Sequence, residues 1–379
     1  MPSTTPPEEL TFSVIDERFT DALSAAEYLE SLRWPDGPVC PHCGESERKA
    51  YFLKNQRRRL WKCAACRKQF TVTVGTIFES SHIPLNKWLL AFYLLCSSKK
   101  GMSAHQLHRM LGVTYKSAWF MAHRIREAMS QPPFAERLRG TVEVDETYIG
   151  GKPRRPNQRQ YKPLDSSKPD PRLRKTGRGT EKTPVVVLVQ RDGRVYSERV
   201  ANVTGATLKG VIRKHVDPSA RIMTDAFKSY AGLDNEYASH FTVNHLDEYV
   251  RGEVHTNTAE NFFSILKRGI DGVYHHVSEA HLPRYLAEFN FRYNNRVANG
   301  IDDSERTVMA LRGAEGSGCD SRIERKPLAE TSRLTAVSAK KPKPEQRNEG
   351  LKIELPFEDA IKAALEAKPP VKVKKIRKR

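Results

Sequence analysis

The sequence predicts an α/β fold over residues 139–299, preceded by a cysteine-rich module and a helical segment. Apolar runs typical of short strands alternate with amphipathic helical patterns between residues 142 and 295. Upstream, two Cys-x-x-Cys motifs are typical of a metal-binding ribbon. Between the ribbon and the α/β region, two helical patterns separated by a Gly-Val-Thr turn indicate a helix-turn-helix.

Charge and hydropathy restrict the class of protein. The 379 residues are enough for two or three domains, and they carry a formal net charge of +19. This excess of positive charge predicts a polyanionic partner, most simply nucleic acid. The competing interpretation is a basic protein that binds membrane surfaces. The longest apolar run, residues 88–96, is far too short to span a bilayer, and the N-terminus lacks a signal-peptide pattern. We therefore expect a cytoplasmic protein that associates with the nucleoid and not with a membrane.

The first module, residues 16–78, is expected to contain a helix over 16–33 and then a zinc ribbon. Each tight Cys-x-x-Cys turn presents two thiolates to one tetrahedral ion. Four unliganded thiols are the alternative, but the module has too few apolar residues to fold without a bound metal ion or another cross-link. A reducing compartment also favours a metal over disulfides. The predicted zinc ligands are Cys40, Cys43, Cys63 and Cys66.

Residues 84–131 are predicted to form a DNA-binding helical region. An apolar helix over 84–98 precedes helices over 103–111 and 115–129, and the turn between the last two offers a helix-ending glycine and a capping threonine. Basic residues on the last helix could enter a major groove. The alternative is an ordinary helical hairpin with solvated basic side chains. The candidate DNA contacts are Lys116, His123, Arg124 and Arg126.

The α/β region opens on a strand over residues 142–149, which sets Asp145 and Glu146 among apolar neighbours. Acids inside a largely buried strand are costly unless they are paired, hydrogen-bonded or bound to metal. A carboxylate on a rigid strand is well placed to hold a divalent cation. The alternative is that both acids lie at a solvated strand end.

A second strand, over residues 221–227, contains Asp225. If its end lies beside the first strand in the sheet, Asp145 and Asp225 come within range of the same cations. The remaining predicted elements of this region are strands over 184–189, 194–200 and 241–245 and helices over 204–215 and 278–295.

A helix over residues 255–269 supplies a third carboxylate, Glu260, with Lys267 two turns later on the same face. Taken alone, Glu260 would be expected to bond back to a helix cap at Asn257. Taken with two aspartates on upstream strands, a three-carboxylate site is favoured. Two segments lie outside this pattern: a basic insertion over 151–183 and a basic, largely disordered C-terminal tail over 300–379.

Together, these motifs resemble those of bacterial insertion-sequence transposases of the DDE class that carry an N-terminal zinc ribbon. The resemblance implies a ribonuclease H-like catalytic domain, with a mixed sheet flanked by helices. It implies that Asp145, Asp225 and Glu260 bind Mg²⁺ or Mn²⁺ and that Lys267 contacts DNA. Some relatives use asparagine as the third ligand, so Asn261 is an alternative to Glu260. The residues that carry the resemblance are 144–151, 224–226 and 255–269, followed by His275 and His276.

The predicted function is a transposase that binds the terminal inverted repeats of its insertion sequence, then cleaves and joins DNA strands by two-metal phosphoryl transfer. Its partners would be double-stranded DNA, at the element ends and at the target, and further copies of itself assembled on that DNA. A DNA-binding regulator derived from a transposase, without nuclease activity, is the alternative. A metal nuclease that cuts DNA without joining it is a second alternative. The transposase and the nuclease would both need all three carboxylates.

Overall fold

The computed structural model describes residues 12–46, 50–53, 58–130, 137–150, 180, 182–191, 193–244 and 250–315. Nearly all of the predicted basic insertion and the tail beyond residue 315 lie outside these ranges. Within them, no helix is both long and apolar enough to cross a membrane.

The N-terminal module contains two helices, α1 (Phe12–Arg18) and α2 (Ala22–Arg33), where the sequence predicted one. The break occurs at Asp21, whose carboxylate accepts the backbone N–H groups of Leu23 at 2.9 Å and Ser24 at 2.7 Å and so caps α2. An antiparallel ribbon follows, made of β1 (Tyr51–Phe52), β2 (Trp61–Lys62) and β3 (Gln69–Phe70).

The predicted helices and the turn between the last two are present. Helix α3 (Leu85–Ser97) leads into α4 (Ala104–Leu111) and α5 (Tyr115–Ala128). Gly112 ends α4 in the left-handed region, at φ +58°, and the Thr114 hydroxyl caps α5 by accepting the N–H of Ser117 at 3.2 Å.

Within the described residues, five strands form a mixed sheet in the order β6-β5-β4-β7-β8. Strand β5 is antiparallel to both of its neighbours, whereas β4, β7 and β8 are parallel to one another. This arrangement confirms the predicted fold class. The strands are β4 (Thr141–Ile149), β5 (Thr183–Gln190), β6 (Val195–Arg199), β7 (Arg221–Asp225) and β8 (Ser239–Val243).

Helices cover both faces of the sheet. Helix α6 (Gly205–His215) packs on the face formed by the even-numbered residues of β4. Helices α7 (Asn257–Gly269) and α8 (Leu282–Asn294) pack on the face formed by the odd-numbered residues. Side chains that alternate along a strand therefore point into two separate hydrophobic cores.

The expectation of a disordered tail from residue 300 is wrong for its first part, which forms helix α9 (Asp303–Arg312) against α3. The cause is a tertiary contact: Arg306 is buried and donates to the carbonyl groups of Cys96 at 3.0 Å and Asn295 at 2.5 Å. The Asp302 carboxylate caps the helix by accepting the N–H of Glu305 at 2.7 Å.

Candidate catalytic and zinc sites

The four predicted zinc ligands come together. Their sulfur atoms all lie within 4.8 Å of one another, and the distances Cys40 Sγ–Cys66 Sγ and Cys43 Sγ–Cys63 Sγ are both 3.7 Å. Sulfurs at the corners of a tetrahedron with Zn–S bonds of about 2.3 Å are separated by about 3.8 Å. The cluster therefore fits a zinc ion.

Each knuckle of the ribbon is built by the same backbone pattern. Gly44 N–H donates to the carbonyl of Cys40 at 2.8 Å, and Arg67 N–H donates to the carbonyl of Cys63 at 3.1 Å. Gly44 and Arg67 both have positive φ, at +74° and +62°. In the second knuckle, the backbone N–H of Cys66 points at the Cys63 sulfur and is the largest contribution lowering the pKa of Cys63, to about 7. In the absence of a metal, the second knuckle therefore favours a thiolate at Cys63, whereas hydrogen bonds with the other three cysteines contribute to raising the pKa of Cys43 to about 12.

The two strand-borne aspartates lie on adjacent strands, Asp145 within β4 and Asp225 at the end of β7. Strands β4 and β7 are parallel neighbours, with Glu143 opposite Met223. Two residues further along each strand, Asp145 and Asp225 therefore stand at the same level. Asp225 Oδ1 accepts the backbone N–H of Phe227 at 3.1 Å, which holds this carboxylate at the strand end.

The negative charges of nearby carboxylates, including the other two predicted ligands, act on Asp145. The pKa of Asp145 is raised to about 8, first by burial and then by the negative charges of Glu146, Asp225 and Glu260. The backbone N–H of Glu146, which donates to Asp145 Oδ1 at 2.7 Å, opposes this shift. The carboxylates of Asp145, Asp225 and Glu260, from β4, β7 and α7, thus form a negative cluster in the sense that the charges of the other two act on Asp145.

This shift predicts how stability depends on pH. Between pH 4 and 8, in the absence of added Mg²⁺ or Mn²⁺, folded Asp145 keeps a proton that the unfolded chain has lost, so stability falls as pH rises. We expect Asp145→Asn to match the wild type near pH 4 and to exceed it at pH 8 by on the order of a few kcal/mol. Denaturant unfolding at both pH values measures this difference. Parallel pH profiles for the two proteins would contradict it.

Glu146 points to the opposite face of β4 from Asp145. Its Oε2 accepts a hydrogen bond at 2.8 Å from the hydroxyl of Tyr230, which is fully buried against α6. Burial, followed by the charge of Glu146, raises the pKa of Tyr230 well above its ordinary value, so the hydroxyl stays protonated and keeps donating. Sequence reasoning missed Tyr230, although it lies in the segment directly after Asp225.

Sequence reasoning also missed Glu143, which is completely buried on the same face of β4 as Asp145. Its carboxylate accepts the backbone N–H groups of Thr258 and Ala259, the first donors of α7. The N-cap residue of α7 is Thr256, not the predicted Asn257. The available signal was strand alternation, because residue 143 falls at a core position where a glutamate must have partners.

The remaining predicted residues of α7 are exposed. Glu260 and Asn261 are adjacent on the helix, and the charge of Glu260 contributes to the raised pKa of Asp145. Lys267 is also exposed, with its Nζ 5.7 Å from the centre of the Phe263 ring. Both Glu260 and Asn261 therefore stay candidates for the third ligand.

Of the candidate DNA contacts, Lys116 is exposed at the start of α5. Arg124 is half-buried, and its guanidinium donates to the carbonyl groups of Ile77 and Glu79 and lies 4.4 Å from the Phe120 ring centre. This side chain therefore ties α5 to the segment that precedes α3.

His123 and Arg126 require a correction, because both are buried and unavailable to DNA in this structure. His123 packs 4.1 Å from Trp119 and 4.8 Å from His281, measured between ring centres, and burial lowers its pKa to about 3. An uncharged, buried imidazole fits packing. The pattern of basic residues along α5 could not reveal that α8 covers this side of the helix.

Arg126 instead joins α5 to α8. Its Nε lies 2.6 Å from the fully buried carboxylate of Glu288, which also accepts from Arg292 Nη1 and from the Tyr274 hydroxyl, both at 2.7 Å. Two guanidinium groups and a hydroxyl therefore surround one carboxylate, and the two arginines lower the pKa of Glu288 against the effect of burial. Such a cluster is costly to break, because removing one partner leaves a buried charge uncompensated.

Comparisons with known families agree with this organisation. Residues 137–294 match the family described as the ISXO2-like transposase domain. Residues 21–69 match the family described as the transposase zinc-ribbon domain. The two matches cover the five-stranded sheet with α6, α7 and α8, and the module that holds the four cysteines.

Two relatives are similar in sequence. An uncharacterised protein in transposable element ISH50 of Halobacterium salinarum is 31% identical over 282 residues, covering 72% of this chain and 91% of the relative. An uncharacterised transposase-like protein of Haemophilus influenzae is 35% identical over 102 residues, covering 27% of this chain and 82% of the relative. The first relative is archaeal, so this similarity does not establish the bacterial origin that was expected for this chain.

Among solved structures, the Mos1 transposase paired-end complex with left transposon end aligns with 82% of this chain and 94% of its own chain. The sequence identity is 14% and the TM-score is 0.23.

Proposed function

This chain belongs to the ISXO2-like transposase family, a family of DDE transposases, and from that premise we propose that it is an active transposase. It would bind the terminal inverted repeats of its element, cleave the DNA at the element ends and transfer the resulting strands into target DNA. Membership of the family implies a phosphoryl-transfer enzyme, and the proposal assigns that chemistry to particular residues.

The observation that carries the proposal is the negative cluster at the edge of β4 and β7. The ionised form of Asp145, whose pKa rises to about 8 beside other carboxylates, is unfavourable in the absence of a cation. A buried acid with a perturbed pKa beside other charged groups is a candidate for a functional site. The charges of Asp225 on β7 and of Glu260 on α7 both contribute to the raised pKa of Asp145, which supports a shared role for the three residues.

The donor set fits hard divalent cations, since Mg²⁺ and Mn²⁺ favour carboxylate oxygens. Among the described residues, the four cysteines are the one set of three or more such side chains whose ligand atoms all lie within 4.8 Å. Asp145, Asp225 and Glu260 are therefore not gathered around a single ion among the described residues, and the proposal is that they hold two ions about 4 Å apart when metal and DNA are bound. Bound there, the cations would activate water or a 3′-hydroxyl and stabilise charge on the scissile phosphate.

In this proposal Asp145, Asp225 and Glu260 hold the cations, and Lys267 contacts a DNA phosphate on the same side of α7. The net charge of +19 favours binding to the DNA backbone. Lys116, exposed at the start of α5, remains the candidate among the four basic residues predicted to contact the terminal repeat. Assembly as a homo-oligomer on DNA is part of the same proposal.

A strand-transfer assay tests the proposal. Labelled terminal-repeat oligonucleotides are incubated with the full chain and target DNA, with Mg²⁺ or Mn²⁺ added. We expect nicked element ends and joined products, with Mn²⁺ able to replace Mg²⁺. Binding without cleavage under either metal would favour a regulator derived from a transposase. Cleavage without joined products would favour a nuclease.

A further inference from the structure

We propose that Glu143 is a positioning residue, which sets the place of Glu260 relative to Asp145 by anchoring the first turn of α7 to strand β4. The inference rests on the proposed function, because it concerns the geometry of the proposed metal site. Glu143 itself is completely buried and, in this proposal, touches neither metal nor DNA.

The first step is the contact between Glu143 and α7. Its Oε2 accepts the backbone N–H groups of Thr258 at 2.8 Å and Ala259 at 3.1 Å, while its Oε1 accepts the Thr258 hydroxyl at 2.9 Å. The first backbone N–H groups of a helix lack partners within the helix and carry partial positive charge, so a buried carboxylate binds them strongly. Glu260 is the residue directly after Ala259.

The second step is the contact that holds Glu143 itself. Arg191, at the end of β5, places its Nε 2.7 Å from Glu143 Oε1. The same guanidinium donates to the carbonyl groups of Glu253 at 2.8 Å and His255 at 3.0 Å, in the segment that leads into α7. Glu143 Oε1 also lies 3.2 Å from Nδ1 of His255, so strand β4, the end of β5 and the segment before α7 are joined around this carboxylate.

The third step is the register along β4. Glu143 and Asp145 lie two residues apart and point to the same face of the sheet, toward α7. Strand β4 thus carries Asp145, a proposed ligand, and also Glu143, which fixes the helix that bears the proposed ligand Glu260. A change of this anchor would move Glu260 relative to Asp145 without altering either carboxylate.

Glu143→Gln is the informative variant. An amide puts its single oxygen in only one of the two carboxylate positions, so its NH₂ group faces donors, either the backbone N–H groups of Thr258 and Ala259 or Arg191 and the Thr258 hydroxyl. Groups that orient metal ligands typically change metal affinity by about 10–100-fold when mutated. We expect Glu143→Gln to weaken Mn²⁺ binding, followed by the electron paramagnetic resonance signal of free Mn²⁺, by about tenfold or more. It should raise the Mg²⁺ concentration for half-maximal cleavage in parallel.

Three further variants separate positioning from general stability. Ser197→Ala removes a different buried hydrogen bond, at 2.6 Å to Asn290 on α8, and should leave Mn²⁺ affinity unchanged. In a Glu260→Gln background, adding Glu143→Gln should cause no further loss, because the ligand that it positions is already gone. Thr258→Ala removes one donor to Glu143 and should weaken Mn²⁺ binding in the same direction by a smaller factor.

Wild-type Mn²⁺ affinity in folded, zinc-loaded Glu143→Gln would overturn the inference, as would equal losses in the presence and absence of Glu260. If Glu143→Gln does not fold, Thr258→Ala decides, and unchanged metal binding in that variant overturns the inference. A wild type that binds Mn²⁺ but neither cuts nor joins DNA would refute the proposed function and leave the role of Glu143 standing.

Discussion

Replacing Asp225 by Asn should reduce Mg²⁺-dependent DNA cleavage by at least about 10³-fold, while DNA binding is retained. Charge stabilisation by bound metal ions is worth several kcal/mol in the transition state, and about 4 kcal/mol corresponds to three powers of ten in rate. The variant should fold, because an asparagine Oδ1 can still accept the N–H of Phe227 that Asp225 accepts at 3.1 Å. Cleavage of labelled terminal-repeat DNA at saturating protein concentration measures the loss.

The adjacent pair on α7 provides a matched control for this experiment. Glu260→Gln should cause a loss of the same order, whereas Asn261→Ala, one residue further along the same exposed surface, should cleave at close to the wild-type rate. The reverse result would identify Asn261 as the third ligand. Near-normal cleavage by Asp225→Asn would remove the basis for a three-carboxylate site.

Replacing Cys63 by Ser should release zinc and unfold residues 34–75. Zinc binding to a four-ligand site of this kind contributes about 10–16 kcal/mol at pH 7, far more than the small apolar core of such a module. Cys63 is buried, and its pKa of about 7 makes it well suited to supply a thiolate, which serine cannot replace. Zinc content and limited proteolysis across residues 34–75 measure the effect.

His42→Ala is the control for this variant. His42 lies between two of the ligands in sequence, but it is exposed, and its Nε2 is 3.2 Å from the carbonyl oxygen of Gln69. The histidine variant should therefore keep its zinc and its resistance to protease. A Cys63→Ser protein that stays folded without metal would show that the ribbon does not depend on the ion.

Local patterns were sufficient to predict much of this fold. The strand at 142–149, the turn at Gly112 and the helix at 255–269 each depend on the periodicity or capping chemistry of neighbouring residues, and each is present in the structure. From the sequence, the adjacency of the strands bearing Asp145 and Asp225 was only a condition for a shared site, and the structure meets it, because β4 and β7 are parallel neighbours.

The remaining features depend on tertiary contacts that periodicity does not encode. Arg126 looks like a solvated base in sequence, but α8 brings Glu288 to it from 162 residues away. Helix α9 is weak in apolar pattern and is held by Arg306 against the end of α3. The role of Glu143 likewise depends on distant partners, Arg191 just after β5 and the first turn of α7, which the local sequence does not reveal.

The buried ion cluster between α5 and α8 bears on the proposed spacing between the DNA sequence that is bound and the phosphodiester bond that is cut. Arg126 on α5 and Glu288 on α8 join helix α5 to the α/β region within one chain, through groups that are costly to separate. If, as proposed, α5 contacts the DNA that the carboxylates cut, this buried ion pair fixes the distance between the two places on the protein. The number of base pairs between the recognised sequence and the broken phosphodiester would then be set during folding, before a second copy arrives.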